Sequence, residues 1–299
     1  MPKSLQRFLE KRSGLTFGLV ESGGNYGDRL IYGGAKSLFE SNGLSTQSKP
    51  YYHPKKYLYY SIRRELNERL IEIFRPLFHI PSFDNVDVIG IHGGANVNDL
   101  WGHGITILRT LLELYPDTPL IILPHTFWFT ETDFASIFDG STQPVHLFCR
   151  EEYSYTLLQN LDLPENVSTY LSQDTAFYLK PEQLREQATN IDAEPGYDLL
   201  AFRDDRESVF PKSRIKSLRS KSERYVEGDI SDKSTYSYGQ FLGLVDQAGT
   251  VYTDRLHVGI LAHLLETPAV LYENAYFKTR GVYHHSLADS DYVEFDSAI

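Results

Sequence analysis

Short apolar runs recur along the chain, and each is followed by a polar or glycine-rich loop and then by apolar positions at helical spacing. Continuous apolar runs of this length are typical of strands buried on both faces of a parallel sheet. The predicted strands are residues 16–22, 86–91, 119–123, 145–149, 197–202, 250–253 and 268–272. Their alternation with helices predicts an α/β fold.

A polar segment separates the predicted strands into two groups. Residues 180–196 (KPEQLREQATNIDAEPG) lack an apolar run and contain proline and glycine, as linkers do. We therefore predict two domains, residues 1–180 and residues 181–299. Residues 51–80 have helical spacing that ends at Pro81, and they predict outer helices or a connecting arm.

Composition narrows the class of protein. Of the 299 residues, 41% are hydrophobic and 23% are charged, as in ordinary globular proteins. The net charge of -11 argues against binding of nucleic acid or of an anionic membrane by bulk electrostatics, so an anionic ligand needs a local cluster of cations. The single cysteine, Cys149, excludes an intramolecular disulfide and a cysteine-rich zinc site. No signal peptide or membrane span is predicted, and we expect a cytoplasmic protein.

Glycine-rich loops follow two of the predicted strands. In the first, residues 23–28 (GGNYGD), backbone N–H groups can approach a ligand, and Asn25 and Asp28 are candidate contacts, with Asp28 placed as the N-cap of the next helix. The alternative is plain turn chemistry, because the spacing does not match a dinucleotide-binding motif.

The second glycine-rich loop follows the strand at residues 86–91. Its candidates for binding are His92, Gly93, Gly94 and Asn96, because ligands approach open α/β sheets at the carboxyl ends of the strands. His125, after the next strand, is a candidate for the same reason. Structural roles, as tight-turn glycines and buried histidines, remain open for these residues.

Two arginines follow predicted strands directly and are candidate anion clamps. Arg150 can reach an inter-domain crevice and bind a carboxylate or phosphate through two parallel hydrogen bonds. Its alternative is an ion pair with Glu151, Glu152 or another carboxylate. Arg203 has the same position in the second domain, where its acidic neighbours favour a structural pair.

Residues 253–278 (TDRLHVGILAHLLETPAVLYENAYFK) are the most informative segment. Arg255 and His257 stand at the start of an apolar helix, where a fixed cation, an imidazole and backbone amides can converge on one anion. The alternative is a capping arginine and a packed histidine. Lys278 adds a further positive charge. The acidic residues 289–297 are typical of a solvated tail, and no metal-ligand spacing is present.

Six fragments in order resemble the polysaccharide pyruvyl transferase family: ESGGNYGD, GIHGGANVND, LPHTF, CREEYS, QDTAF and TDRLH followed by YFK. They extend from about residue 18 to residue 278. The resemblance implies two Rossmann-like domains with parallel sheets in a glycosyltransferase B-like arrangement, with an inter-domain cleft. It places the acceptor on the first domain and the donor on the second, with the C-terminal segment packing back on the first domain.

The same resemblance implies a donor, an acceptor and residue roles. The donor is phosphoenolpyruvate, the acceptor is a saccharide or lipid-linked saccharide, and the product is a pyruvate ketal. Arg150 matches the family's R-E motif, Arg255 and His257 match its R-L-H, and Lys278 matches the lysine of its Y-x-K, whereas Arg203 matches less securely. Ala95 replaces a frequent glycine and His125 a frequent glutamine, which leaves the acceptor open.

Ketal formation needs an acid and a base, and we assign His257 to one of these roles and Arg255 to the catalytic site with it. We expect no cofactor besides the donor substrate and no metal ion. Two alternatives remain: a nucleotide-sugar-dependent glycosyltransferase of the same fold, and a non-catalytic carbohydrate-binding relative. Peripheral contact with the inner face of a membrane and a homo-oligomer are both compatible with the sequence.

Overall fold

A computed structural model describes residues 4–51 and 82–297 of the chain. The strands of the first sheet are β1 (Thr16–Glu21), β2 (Ser45–Pro50), β3 (Val88–Ile91), β4 (Leu120–His125), β5 (Val145–Cys149) and β6 (Val167–Leu171). The strands of the second sheet are β7 (Tyr197–Ala201), β8 (Tyr225–Glu227), β9 (Ala248–Thr253), β10 (Ala269–Tyr272) and β11 (Val293–Asp296). Every pairing within both sheets is parallel, which confirms the predicted fold class.

Helices connect the strands, as the alternating pattern predicts. The α-helices are α1 (Ser4–Glu10), α2 (Tyr26–Ser41), α3 (His103–Leu114), α4 (Glu152–Gln159), α5 (Pro181–Gln187), α6 (Lys212–Lys221), α7 (Tyr238–Asp246), α8 (Leu256–Leu265) and α9 (Lys278–Val282). Short 3₁₀-helices cover Ala135–Phe138 and Thr175–Tyr178, and a π-helical turn covers Tyr283–Leu287. No described helix is long and apolar enough to cross a membrane. The arm predicted at residues 51–80 lies outside the described residues, apart from Tyr51.

The two sheets repeat one strand order. The first runs β2-β1-β3-β4-β5-β6, and the second runs β8-β7-β9-β10-β11. In each sheet the chain moves outward in opposite directions from a central pair, β1 and β3 or β7 and β9. Ligands of open α/β sheets bind beyond the carboxyl ends of the strands at such switch points. Most of the candidate residues lie in the loops after these four strands. The topology therefore places them at the carboxyl ends of the strands beside the two switch points.

The helix α2 joins the half of the molecule that contains the first sheet (the first half) to the half that contains the second sheet (the second half). Tyr26 and Leu30 on α2 belong to the same buried apolar cluster as the strands and helices of the second sheet. The Tyr26 hydroxyl also donates to the carbonyl oxygen of Tyr236 at 2.5 Å. The helix α5 packs against α7 and α8, while the domain boundary at residues 180 and 181 stays a prediction.

Two local predictions need correction. Asn25, not Asp28, is the N-cap of α2: its side chain accepts from the Asp28 amide at 3.2 Å, and the Asp28 carboxylate accepts from the Asn25 amide at 2.9 Å. This reciprocal capping box starts the helix at Tyr26. The acidic segment at residues 289–297 is not a solvated tail throughout, because it contains β11, which pairs with β10.

The C-terminal segment contacts both halves of the molecule. The ring of Phe277 stacks on that of Tyr153 in the first half, with ring centroids 5.3 Å apart. A Cβ on Gly281 would lie 3.0 Å from Glu151, so α9 approaches the start of α4 closely. The segment thus passes the first half at α9 and then returns to the second sheet at β11.

Candidate active site

A cavity of about 570 Å³ lies where the two switch points face each other. From the first half, its lining includes Ser22, Asn25, Gly27, Asp28, Tyr51, Gly94, Asn96, Trp101, His103 and Arg150. From the second half, it includes Arg203, Asp205, Glu207, Ser231, Asp232, Lys233, Arg255, His257 and Lys278. Nine of the predicted site residues are therefore brought to one cavity from distant parts of the chain.

The other three predicted residues, His92, Gly93 and His125, are not among the described residues that line the cavity. The His92 ring is buried, and its Nε2 lies 2.7 Å from the Ser48 hydroxyl oxygen. Burial lowers the pKa of His92 to about 3, so the ring is neutral. A Cβ on Gly93 would lie 2.7 Å from the Pro124 carbonyl oxygen, so this glycine permits close backbone approach.

His125 supports the cavity wall from behind. It is fully buried at the end of β4, and its Nε2 accepts the backbone N–H groups of Asn96 at 2.9 Å and Val97 at 3.0 Å. Burial and the charge of Arg150 hold the pKa of His125 well below its ordinary value, which keeps Nε2 available as an acceptor. The structure therefore assigns His125 to fixing the loop that carries Asn96 rather than to ligand contact.

Arg150 lies at the end of β5 and is fully buried. Its Nη1 donates to Asp174 at 2.7 Å and its Nε donates to the Thr126 hydroxyl at 2.9 Å. The predicted ion-pair alternative is thus real, but the partner is Asp174 rather than Glu151 or Glu152. The Arg150 Nη2 has no hydrogen-bond partner among the described residues, which leaves one buried donor for a ligand.

Arg255 is the residue immediately before α8, and Arg203 follows β7. The guanidinium of Arg255 pairs with Asp229 and lies 3.6 Å from Asp205, and its buried Nε has no partner in the described ranges. Arg203 makes a bidentate pair with Asp205, with distances of 2.7 and 2.8 Å. It also pairs with Glu207, so the structural pairing predicted for Arg203 is present. Both arginines are thereby held in fixed positions on the cavity wall.

Glu207 is a buried hub that sequence reasoning missed. Its carboxylate pairs with Lys278 and Arg203, and it accepts the Trp101 indole N–H at 2.7 Å and the Asn274 amide at 3.2 Å. Burial lowers the pKa of Lys278 to about 8, although the negative charge of Glu207 opposes this shift. The hub links a first-half loop to the second half beside the cavity.

His257 lies in the first turn of α8 and reaches the first half. Its Nε2 is 3.3 Å from an Asp174 carboxylate oxygen and 3.4 Å from Arg150 Nη1. Burial alone would raise the pKa of Asp174, but His257 and Arg150 outweigh it, so the pKa lies well below its ordinary value and the carboxylate is ionised. The site therefore combines an oriented imidazole with fixed cations.

Comparison with known proteins agrees with this arrangement. A family model described as polysaccharide pyruvyl transferase matches residues 25–276. The chain is 22% identical to EpsO of Bacillus subtilis (strain 168), a provisionally named pyruvyl transferase, over 92% of this chain and 86% of that protein. It is 23% identical to pyruvyl transferase 1 of Schizosaccharomyces pombe, over 88% of this chain and 66% of that protein.

A solved structure supports the fold. The crystal structure of a functionally uncharacterised protein from Klebsiella pneumoniae superposes with a TM-score of 0.63 and 23% identity, covering 98% of this chain and 96% of that one. Its similarity bears on the architecture and not on the activity. Because the family model spans well over half of the chain and includes residues from both walls of the cavity, the chain belongs to the polysaccharide pyruvyl transferase family.

Proposed function

We propose that the protein uses phosphoenolpyruvate to form a pyruvate ketal on a saccharide or lipid-linked saccharide and releases phosphate. The observation that carries this proposal is the convergence of Arg150, Arg255, His257 and Lys278 on one cavity. Phosphoenolpyruvate carries a carboxylate and a phosphate, so its site needs several fixed donors of positive charge in a place with little competing water.

The donor is assigned to the cations around the start of α8. The free Nη2 of Arg150 and the free Nε of Arg255 are buried donors with no partner among the described residues. The positive end of α8, a helix of ten residues, adds backbone N–H groups at the same place. Each cation already has a carboxylate partner, so the donor adds contacts to preorganised groups rather than neutralising loose charges.

The reaction needs three proton movements that balance: one onto the donor and one from each of two sugar hydroxyls. A proton is added to the methylene carbon of the donor, and one sugar hydroxyl attacks the adjacent carbon and loses its proton. Phosphate then leaves with its electron pair, and a second hydroxyl of the same sugar closes the ketal and loses its own proton to the departing phosphate. His257 serves as the acid or base, which is typically worth about 10² to 10⁴ in rate.

The acceptor is assigned to the first-half wall of the cavity. Asn25, Asp28 and Asn96 offer carboxylate and amide groups that pair with sugar hydroxyls, and Trp101 offers an aromatic ring in the same lining. Gly94 lets the backbone approach closely, with φ at 148°. On the donor side of the cavity, we assign Arg203 and Lys278 to binding of the donor as well.

The assay is incubation with phosphoenolpyruvate and candidate galactosides or N-acetylmannosamine glycolipids, with detection of inorganic phosphate and of the mass of one added pyruvate. We expect turnover in the presence of a chelator, because no step of the proposal uses a metal ion. Binding of uridine or guanosine diphosphate sugars without measurable binding of phosphoenolpyruvate would overturn the proposal in favour of a glycosyltransferase. Binding of the sugar without phosphate release would indicate a non-catalytic relative.

Arg255→Ala and His257→Ala should each abolish turnover while leaving the far-ultraviolet circular dichroism unchanged, because both side chains line the cavity. Two matched controls lie outside the cavity lining. His263 is on the same helix, and its Nδ1 contacts the Ser290 hydroxyl at 2.8 Å. Arg219 pairs with Glu227 on the surface. His263→Gln and Arg219→Ala should keep turnover. Unaltered turnover in either Arg255→Ala or His257→Ala would place the chemistry elsewhere.

A further inference from the structure

We propose that Asp174 is a positioning residue that fixes the orientation and tautomer of His257, so that Nδ1 is the nitrogen that exchanges a proton with the substrate. This inference rests on the proposed function, because it assumes that His257 is the acid or base. The family match contains Asp174 within residues 25–276 but assigns it no role. The inference follows from the geometry of three residues, two from the first half and one from the second.

Asp174 is held on both of its carboxylate oxygens. Its Oδ1 accepts the backbone N–H of Ala176 at 2.8 Å, at the start of a 3₁₀-helix. Its Oδ2 accepts from Arg150 at 2.7 Å and lies 3.3 Å from His257 Nε2. The side chain is fully buried, so these contacts do not compete with bulk water. The carboxylate therefore has one defined direction in which it meets the imidazole.

The tautomer follows from what each neighbour can offer. An ionised carboxylate only accepts hydrogen bonds, and the Arg150 guanidinium only donates them. His257 Nε2 lies between them, 3.3 Å from the carboxylate oxygen and 3.4 Å from Arg150 Nη1. A neutral imidazole with its proton on Nε2 bonds to Asp174. The opposite tautomer could accept only from Arg150 Nη1, which already donates to Asp174 at the shorter distance of 2.7 Å, and it would leave two acceptors, Nε2 and the carboxylate oxygen, facing each other. Nε2 therefore carries the proton, and Nδ1 carries the lone pair.

The unprotonated nitrogen lies at the cavity wall. A Cβ on Gly27 would be 3.0 Å from His257 Nδ1 and 2.9 Å from Asn25 Oδ1. Gly27, Asn25 and His257 all line the cavity, and a side chain at position 27 would crowd Nδ1. Glycine at position 27 thus keeps the reactive nitrogen accessible.

The charge of Asp174 also favours the protonated form of His257. When Nδ1 takes a proton from a sugar hydroxyl, the imidazolium faces an ionised carboxylate that burial has not neutralised. Arg150, which faces the same nitrogen, opposes this, but its charge is shared with Asp174 at 2.7 Å. The proton stays on His257 and does not move to Asp174, because the pKa of Asp174 lies well below its ordinary value.

Other charged groups around His257 complete its electrostatic setting. The carboxylates that line the same cavity and favour the imidazolium are Asp28, Asp205, Glu207 and Asp232. The cations that line it and disfavour the imidazolium are Arg203, Lys233, Arg255 and Lys278. Among the described residues, Asp174 is the group with a carboxylate oxygen at hydrogen-bond distance from the ring, so its removal should disturb the orientation of the ring more than removal of any of the others.

The first test is spectroscopic and needs no substrate. Nitrogen NMR of the wild-type protein with ¹⁵N-histidine, assigned by difference from His257→Gln, should show Nε2 protonated and Nδ1 unprotonated in the neutral ring. A neutral ring protonated on Nδ1 would overturn the inference. Because the wild-type protein is used, the result does not depend on the folding of an Asp174 variant, and it stands whether or not phosphoenolpyruvate is the donor.

The second test uses Asp174→Asn, which keeps the shape and removes the charge. We expect Nδ1 to become partly protonated in the neutral His257 ring, because an amide can donate as well as accept hydrogen bonds and no longer selects one tautomer. The kcat should fall by about 10² to 10⁴, with KM for the donor changing less, since tautomer and orientation are lost rather than binding. The matched control is Asp198→Asn, which removes a carboxylate that accepts from Ser222 at 2.6 Å, outside the cavity lining.

Three outcomes separate the ideas. Loss of kcat together with a mixture of His257 tautomers supports the positioning role. A lowered melting temperature with unchanged kcat and an unchanged His257 tautomer means that Asp174 is only a buried partner of Arg150 and overturns the inference. If wild-type protein shows no turnover with phosphoenolpyruvate, the proposed function fails, while the NMR result still decides whether Asp174 orients His257.

Discussion

Each predicted arginine and lysine in the cavity is paired with a carboxylate. The pairs are Arg150 with Asp174, Arg203 with Asp205, Arg255 with Asp229 and Lys278 with Glu207. A buried ion pair contributes little net stability, because desolvation of both charges offsets their attraction. The pairs instead hold four cations in place around the cavity, so an anionic ligand does not need to organise them on binding.

Lys278 makes this arrangement sensitive to pH. Burial lowers its pKa to about 8, so the ammonium is fully charged below that pH and loses its proton above it. The anionic donor binds the charged form better, so its affinity should be steady from about pH 7 and fall as pH rises through 8. The phosphate of the donor, with a second pKa of about 6, is already fully ionised in this window and contributes no change of its own.

Calorimetric measurement of the dissociation constant for phosphoenolpyruvate between pH 7 and 9.5 checks this expectation. Lys278→Arg is the informative variant, because a guanidinium stays charged throughout the window. Its affinity should be independent of pH even if it is weaker at neutral pH. An affinity of the wild-type protein that stays flat up to pH 9.5 would mean that the Lys278 ammonium does not contact the donor.

The cations were predictable from the sequence, but apart from the acidic neighbours of Arg203 their partners were not. Arginine, histidine and lysine stand out where they follow a strand or start a helix, as Arg150, His257 and Lys278 do. Their partners come from far along the chain: Asp174 is 83 residues from His257, and Glu207 is 71 residues from Lys278. Sequence pattern reports local geometry, whereas which carboxylate meets which cation depends on how two sheets face each other.

At the scale of elements, α2 shows how closely the first-half helix approaches the 3₁₀-helix at Thr175–Tyr178. A Cβ on Gly34 would lie 1.9 Å from the Thr175 carbonyl oxygen, whereas a Cβ on Gly33 would meet only the end of the Leu179 side chain at 3.2 Å. The backbone carbonyl of Thr175 cannot move aside, whereas the methyl group of Leu179 can rotate away. Two adjacent glycines in one helix therefore have opposite expected responses to the same substitution.

Gly34→Ala should lower the free energy of unfolding by at least about 1–3 kcal/mol, because the helix and the 3₁₀-helix must move apart. Gly33→Ala should leave it unchanged or raise it by up to about 1 kcal/mol, because alanine favours the helix and its neighbour can shift. Urea denaturation of both variants beside the wild-type protein measures the difference. Equal destabilisation by the two substitutions would show that α2 does not pack in this way.

The strands missed by the sequence analysis share one position. They are β2, β6, β8 and β11, which are the four edges of the two sheets. A central strand such as β4 is buried at every residue and reads as a continuous apolar run. Every position of the edge strand β2 (STQSKP) is exposed or half-buried, and the strand contains no aliphatic or aromatic residue. The pattern of hydrophobic residues therefore predicts the central strands of each sheet and does not predict the edge strands.

At the scale of the whole molecule, the two sheets share packing rather than merely facing each other. Leu30 of α2 is fully buried in the apolar cluster of the second sheet. Both tryptophans of the chain also contact the second half: Trp101 donates to Glu207 at 2.7 Å, and Trp128 stacks on Tyr276 with ring centroids 5.1 Å apart. Tryptophan fluorescence therefore reports on the interface at which the cavity is formed, whereas circular dichroism reports on all helices and sheets.

We expect the chain to unfold in urea as one cooperative unit, with coincident transitions by tryptophan fluorescence and by far-ultraviolet circular dichroism. Leu30→Ala, in the shared cluster, should shift both transitions together, with a loss of about 2–5 kcal/mol. Leu108→Ala is the matched variant, because this leucine is equally buried but lies in a cluster of the first sheet alone. One cooperative unit requires that it, too, shift both transitions together. If the halves unfold independently, fluorescence changes before circular dichroism, and Leu108→Ala leaves part of the dichroism transition where it was. In that case the cavity would depend on a weak contact between two separately stable domains, and donor binding would have to supply the energy that closes it.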